Sequence, residues 1–258
     1  MPRGIRNKNW NYGGRNWKLS RSKIDLFKEC PRCFYLDNKL GIRRPSMPGF
    51  LINSAVDALL KKEFDTHRAD QTPHKLFAKF GIEAKPYNHP KIDTWRENFE
   101  GVIYDHPEYD FTVSGAVDDL WELSDGTVAV VDYKSTAKDE LDMDSKWIQG
   151  YYRQLEVYQW LLRHNDVNVS DTAYILYANG DIWAERFDGK VQFRMSLHPH
   201  QGDTSWIEPI LAKIYEILEQ DNIPDAGSDC EHCEFEDMKN AEVNKRKDKK
   251  SSTKSLFE

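Results

Sequence analysis

Within residues 109–135 β-favouring residues flank a turn signal and one strand face repeats at a period of two, and the apolar period lengthens to that of a helix downstream. Residues 109–123 and 127–135 therefore predict two strands, with Ser124-Asp125-Gly126-Thr127 as the turn of a β-hairpin. In the second strand Val128, Val130, Asp132 and Lys134 share one face, so an apolar row ends in an acid and a base. Residues 145–164 predict a long amphipathic crossover helix, followed by a strand over 172–177. Asn179-Gly180 then predicts a two-residue hairpin turn into a strand over 182–187. Upstream, residues 22–40 and 51–68 predict two helical segments, the first interrupted at Pro31, where a new helix can begin. A last helix over 205–220 should end before Pro224.

At 258 residues, 39% hydrophobic and 31% charged, the chain has the composition of one soluble domain with short appendages. No apolar run reaches transmembrane length, and the basic N-terminus lacks the apolar stretch of a secretory signal. A cytoplasmic protein without a membrane partner is expected. The net charge of −7 would argue against nucleic acid if it were even. It is uneven: residues 1–23 hold seven Lys and Arg with no acid, and residues 239–258 hold seven bases against three acids. An N-terminal arm, residues 1–19, interleaves Arg3, Arg6, Lys8, Arg15 and Lys18 with Trp10 and Trp17. Such a pattern suits phosphate contact together with stacking on unpaired bases; a solubilising arm is the alternative. Residues 239–258 predict a disordered basic tail, leaving 20–238 as the folded domain.

Asp118 and Asp132 stand fourteen positions apart, in Gly115-Ala116-Val117-Asp118 and Asp132-Tyr133-Lys134. Two carboxylates with a lysine beside them describe a site for a hard divalent cation. Gln154 and Tyr158, at i and i+4, share one face of the crossover helix. Asp142, Asp144, His198 and His200 read as loop or surface residues. All four cysteines fall into two C-x-x-C pairs, Cys30-Pro31-Arg32-Cys33 and Cys230-Glu231-His232-Cys233, which can offer four thiolates to one tetrahedral metal. The chain contains no G-x-x-x-x-G-K-[ST] phosphate loop, so it carries no nucleotide-driven motor of that type.

Gly115-x-x-Asp118, Asp132-x-Lys134 and Gln154-x-x-x-Tyr158, in that order, resemble the PD-(D/E)XK nuclease superfamily, and within it the RecB-like branch. Ser20-x-Ser22 through Cys30-Pro31-Arg32-Cys33-Phe34-Tyr35 is similar to the opening helix of these proteins. The resemblance implies an α/β fold with a restriction-endonuclease-like core, a central mixed β-sheet flanked by helices. It implies Mg²⁺ or Mn²⁺ held by Asp118, Asp132 and the backbone carbonyl of Tyr133, with Lys134 stabilising the transition state and Gln154 and Tyr158 positioning Lys134 or a backbone phosphate. Asp57 sits where these nucleases usually place a histidine, and is expected as a third metal ligand. Related CRISPR-associated and recombination nucleases hold a [4Fe–4S] cluster with one N-terminal and three C-terminal cysteines. The two-and-two division here leaves zinc as an equal candidate.

The implied activity is metal-dependent hydrolysis of DNA phosphodiesters, by exonuclease or endonuclease action, in repair, recombination or processing of DNA ends. Single strands or ends are the favoured substrate, with a helicase or sliding clamp as a possible partner. Ser255-Leu256-Phe257 loosely resembles peptides that dock on sliding clamps. The alternative is a catalytically inactive DNA-binding scaffold that keeps the fold, stapled by zinc.

Overall fold

The structure, a computed structural model, describes residues 6–45, 51–138, 142 and 144–254. Arg3 and the Ser255-Leu256-Phe257 segment lie outside the described residues. In chain order the elements are β1 (Leu19–Ser20), α1 (Arg21–Glu29), α2 (Pro31–Asn38), α3 (Leu51–Asp70), α4 (Lys75–Phe80), β2 (Ala84–Pro86), α5 (Ile92–Arg96) and β3 (Val102–Asp105). There follow β4 (Thr112–Gly115), β5 (Asp119–Leu123), β6 (Val128–Thr136), α6 (Lys146–Arg163), β7 (Thr172–Gly180), β8 (Phe193–Gln201), α7 (Ile207–Glu219) and α8 (Glu231–Lys254). The fold is α/β, with a central mixed sheet flanked by helices, as expected. Two compact units divide the chain, one from Lys18–Ser22 and Met47–Lys213, the other from Met1–Trp17, Lys23–Ser46 and Ile214–Glu258.

The first unit contains both sheets. Five strands run in the order β2-β5-β6-β7-β8; only β6 and β7 are parallel, and α6 supplies the crossover that a parallel pair requires. A smaller sheet has the order β1-β4-β3. Strand β6 is buried on both faces, which explains its unbroken Val128-Ala129-Val130-Val131 run. On one face Val131 and Tyr133 pack with Trp121, Leu176 and Leu60 and Phe64 of α3; the Phe64 and Trp121 rings stack at 5.4 Å. On the other face lies α6, which brings Gln154 to Asp132.

Two strand expectations change. The strand expected over 109–123 is two strands in different sheets, β4 and β5, and the chain switches sheets at Ala116-Val117-Asp118. Val117 there bonds outside both sheets, to the carbonyl of Trp95. Asn179-Gly180, expected to turn a hairpin into a strand over 182–187, instead remains in β7, paired with Arg194 and Phe193 of β8. Asn179 also pairs with Thr136 of β6, which holds it in the sheet. The left-handed residues are Asp188 (φ 42°) and Gly189 (φ 70°), so the tight turn is made by this second Asx-Gly dipeptide.

In the second unit, Pro31 occupies the first turn of α2, and the Cys30 side chain caps the helix by accepting from the Cys33 N–H. Within the segment expected as a disordered tail, of which residues 255–258 lie outside the described residues, α8 carries helical backbone through Lys254. Its Glu and Lys content explains this, because side chains one turn apart pair, as Glu236 with Lys239 and Glu242 with Arg246. The described part of the N-terminal arm is folded in part. The Arg6 guanidinium bonds Asn11 and Asp37, and Trp17 is buried with its indole N–H on Asn38.

Candidate active site

Asp132 is fully buried at the end of the apolar row of β6. Gln154 donates from Nε2 to Asp132 Oδ1 at 2.7 Å and to the Tyr158 hydroxyl at 3.1 Å, so one side chain of α6 ties both together. The Lys134 ammonium forms an ion pair with Asp132 Oδ2 and lies 4.7 Å from the centre of the Tyr151 ring. Burial, reinforced by Asp118, pushes the Asp132 carboxyl up to about 7 against the pull of Lys134. Burial alone would lower Lys134, yet Asp132 and Asp118 hold it above its ordinary value, so it stays cationic.

Asp118 reaches the same place from the switch between the sheets. Its Oδ2 accepts the Tyr133 N–H at 3.0 Å, and its Oδ1 lies 3.1 Å from the Lys61 ammonium. Burial raises its pKa, but Lys61, Lys134 and the Tyr133 N–H outweigh that, and the carboxylate is held below its usual range. Gly115 makes the close approach of α6 possible: a Cβ there would lie 2.6 Å from the Tyr158 ring.

Asp57 of α3 is 3.0 Å from the same Lys61 ammonium, so Lys61 bridges Asp57 and Asp118. The carboxylate oxygens of Asp57, Asp118 and Asp132 do not converge as a group of three. Among the described residues, the group whose ligand atoms do converge is the four cysteines. The donor set fits a divalent cation nonetheless. It consists of oxygens, and the buried Asp132 Oδ2, although ion-paired with Lys134, has no aligned hydrogen-bond donor. Lys61 was missed by motif reading, yet Asp57-x-x-x-Lys61 is a visible i,i+4 pair on a helix.

The neighbouring Asp119 faces the other way. It is fully buried between the guanidinium groups of Arg68 and Arg96 and the hydroxyl of Tyr133, and Asp65 closes the network by binding both arginines. Arg96 also donates to the Asp118 carbonyl at 3.1 Å. This buried ionic network fixes the backbone that carries Asp118 and Tyr133, and no spacing in the sequence announces it.

The four cysteines of the second unit are buried together. Sulfur separations are 3.7 Å for Cys30 to Cys233, 3.7 Å for Cys33 to Cys230 and 3.5 Å for Cys33 to Cys233. Cys30 Sγ also accepts N–H bonds from Cys33 and Gly227. Burial would raise the Cys30 thiol, but those N–H groups bring it down to about 7, while burial pushes Cys33 up to about 11. A Cβ at Gly227 would lie 2.2 Å from the Glu29 carbonyl, so glycine is needed for this approach. Arg44, also missed, donates to Cys230 Sγ at 3.1 Å.

The remaining candidates lie elsewhere. Lys8 and Arg15 are exposed, as is Trp10 at 47%, whereas Arg6 and Trp17 are tied into the fold and Lys18 donates to the Phe99 carbonyl. Asp142 and Asp144 are exposed; His198 and His200 lie on β8, with His200 Nε2 2.8 Å from Glu156.

A mixed sheet that ends in acids and a lysine between flanking helices is the class of site described. Residues 49–238 match the PD-(D/E)XK nuclease superfamily, and the chain belongs to it. Similar solved structures include SSO0001, at 10% identity over 86% of this chain and 82% of that one, with a TM-score of 0.38. They also include an alkaline exonuclease, LHK-Exo, from Laribacter hongkongensis, at 11% identity over 82% of this chain and 91% of that one, with a TM-score of 0.33. The same exonuclease in complex with dAMP matches at 12% identity over 78% and 86%, with a TM-score of 0.32. No curated protein sequence matches the chain. Among the described residues no helix is long and apolar enough to cross a membrane.

Proposed function

We propose that the chain is a cytoplasmic, metal-dependent deoxyribonuclease of the RecB-like branch, acting on single strands or DNA ends in repair or recombination. The observation that carries this reading is the cluster of Asp118, Asp132 and Lys134, with Asp132 buried and bound by Gln154, itself bonded to Tyr158. Asp118 and Asp132, with the Tyr133 carbonyl and with Asp57 as a third oxygen ligand, would hold Mg²⁺ or Mn²⁺, which supplies charge neutralisation and a more acidic water. Lys134, kept cationic by its two carboxylates, stabilises negative charge that develops on the phosphoryl oxygens. Gln154 fixes the Asp132 carboxylate, and Tyr158 fixes Gln154. Exposure of Lys8, Trp10 and Arg15 supports their contact with DNA in this reading.

For the cysteines, the same reading favours one zinc ion over a [4Fe–4S] cluster. A tetrahedron with metal–sulfur bonds of about 2.3 Å has edges of about 3.8 Å. The observed separations of 3.5–3.7 Å match it, and all four sulfurs lie within 4.8 Å of one another. A cube of four irons and four sulfides would need its thiolates spread further.

Incubation of the purified chain with end-labelled single-stranded, double-stranded and circular DNA, in Mg²⁺, Mn²⁺ or chelator, tests the assignment. Cleavage in a divalent metal alone supports it. Binding of DNA without cleavage in either metal leaves the inactive scaffold as the better account.

A further inference from the structure

Lys61 bridges the Asp57 and Asp118 carboxylates. We propose that Lys61 is a built-in counter-cation of the acidic site, which a divalent ion must displace from Asp118 before the site can load. The inference rests on the nuclease reading for the place of the metal.

The geometry is specific. Of the two Asp118 oxygens, Oδ2 accepts the Tyr133 N–H at 3.0 Å, and Oδ1 is the one not engaged by that backbone group. That oxygen is the one Lys61 holds at 3.1 Å, while Asp57 Oδ2 holds the same ammonium at 3.0 Å. A metal bound at this oxygen would lie against the ammonium and be repelled by it. Lys134 forms its ion pair with Asp132, so Lys61 is the ammonium bound to the Asp118 oxygen. Three carboxylates against two ammonium groups leave the site close to neutral, and a dication beside both lysines would reverse its charge. Expulsion of Lys61 removes that excess, and its flexible stem, 24% exposed, allows the head group to withdraw into water. The consequence is a metal threshold: the site stays closed by its own lysine until divalent ion is abundant enough to displace it.

The test uses the full chain without DNA, so that it is separate from cleavage. Mn²⁺ is titrated into the wild type, Lys61→Met and Lys61→Arg, with free Mn²⁺ followed by electron paramagnetic resonance. Removal of a unit charge next to the ligand oxygens should tighten Mn²⁺ binding by about tenfold in Lys61→Met, after allowance for solvent screening. Lys61→Arg, which keeps the charge, should bind no more tightly than the wild type. Equal or weaker binding by folded Lys61→Met would overturn the proposal, as would the absence of Mn²⁺ binding to both wild type and Lys61→Met. Should Lys61→Met not fold, ¹⁵N spectra of the lysine ammonium groups in the wild type decide the matter. The exchange-protected Lys61 signal should be lost when Mg²⁺ is added, and its persistence at saturating Mg²⁺ would overturn the proposal. Metal binding with the Lys61 effect but no DNA cleavage leaves the proposal standing and removes only the nuclease reading.

Discussion

Substitution of Asp132 by asparagine perturbs the metal-free protein in a direction set by burial rather than by the lost charge. The carboxyl rises from an ordinary 3.8 to about 7 in the folded chain. At about 1.4 kcal/mol per tenfold change, its ionised form is disfavoured by about 4 kcal/mol, and relaxation of Lys134 and Gln154 reduces this to about 2–4 kcal/mol. The folded-state pKa is raised, so the protonated carboxyl favours folding. That contribution is fully present below the unfolded value and is lost as pH rises through about 7. Asparagine resembles the protonated form at every pH. Thermal and urea melts in chelator should therefore show Asp132→Asn close to the wild type only below about pH 4, with a gap that widens as pH rises and reaches that order at about pH 8. Histidines that titrate in this window are common to both proteins and cancel in the difference. Saturating Mn²⁺ should then reverse the ranking at about pH 8, since the ionised wild-type carboxylate gains a ligand and the amide does not. A difference independent of pH, or a less stable Asp132→Asn at about pH 8, would refute the reasoning.

Gly115→Ala places a methyl group 2.6 Å from the Tyr158 ring and 3.1 Å from Leu161. It should cost about 1–3 kcal/mol in denaturant melts and lower turnover by moving Tyr158 off Gln154; unchanged stability would contradict the packing. Cys33→Ala should lose the metal and shift the melting temperature downward, and elemental analysis of the wild type should find about one zinc per chain. Iron with acid-labile sulfide would contradict the tetrahedral reading. Joint substitution Lys8→Ala and Arg15→Ala, which spares the ion-paired Arg6 and the buried Trp17, should flatten the slope of log K against log salt for single-stranded DNA by about 1.4. An unchanged slope would leave these residues without a phosphate.

The sequence exposes the central hairpin through its turn residues and flanking β-favouring residues, and the crossover helix through its helical apolar period. Legibility fails where two local signals compete or a partner is remote. Asn179-Gly180 and Asp188-Gly189 are equivalent as turn dipeptides, and pairing of Asn179 with Thr136 decided between them. The N-terminal bases read as an arm because Asp37, which neutralises Arg6, is distant in sequence. Asp118 and Asp119 are adjacent and chemically alike. Their separation into a Lys61-bound carboxylate and a doubly arginine-bound one comes from the switch between sheets, which no periodicity marks. The C-terminal helix has helix-forming composition without an apolar face, and a test for burial alone assigns it to disorder.

The most direct measurement of the central claim is the Mg²⁺-dependent cleavage rate of end-labelled DNA by the wild type, Asp132→Ala and Lys134→Ala, with DNA affinity measured in chelator on the same samples. The account predicts cleavage by the wild type, none above background for Asp132→Ala, and a loss of about 10²–10⁴ for Lys134→Ala. Affinity for DNA should hold or rise in Asp132→Ala, because a carboxylate that repels phosphate has gone. Cleavage by folded Asp132→Ala at the wild-type rate would contradict the account.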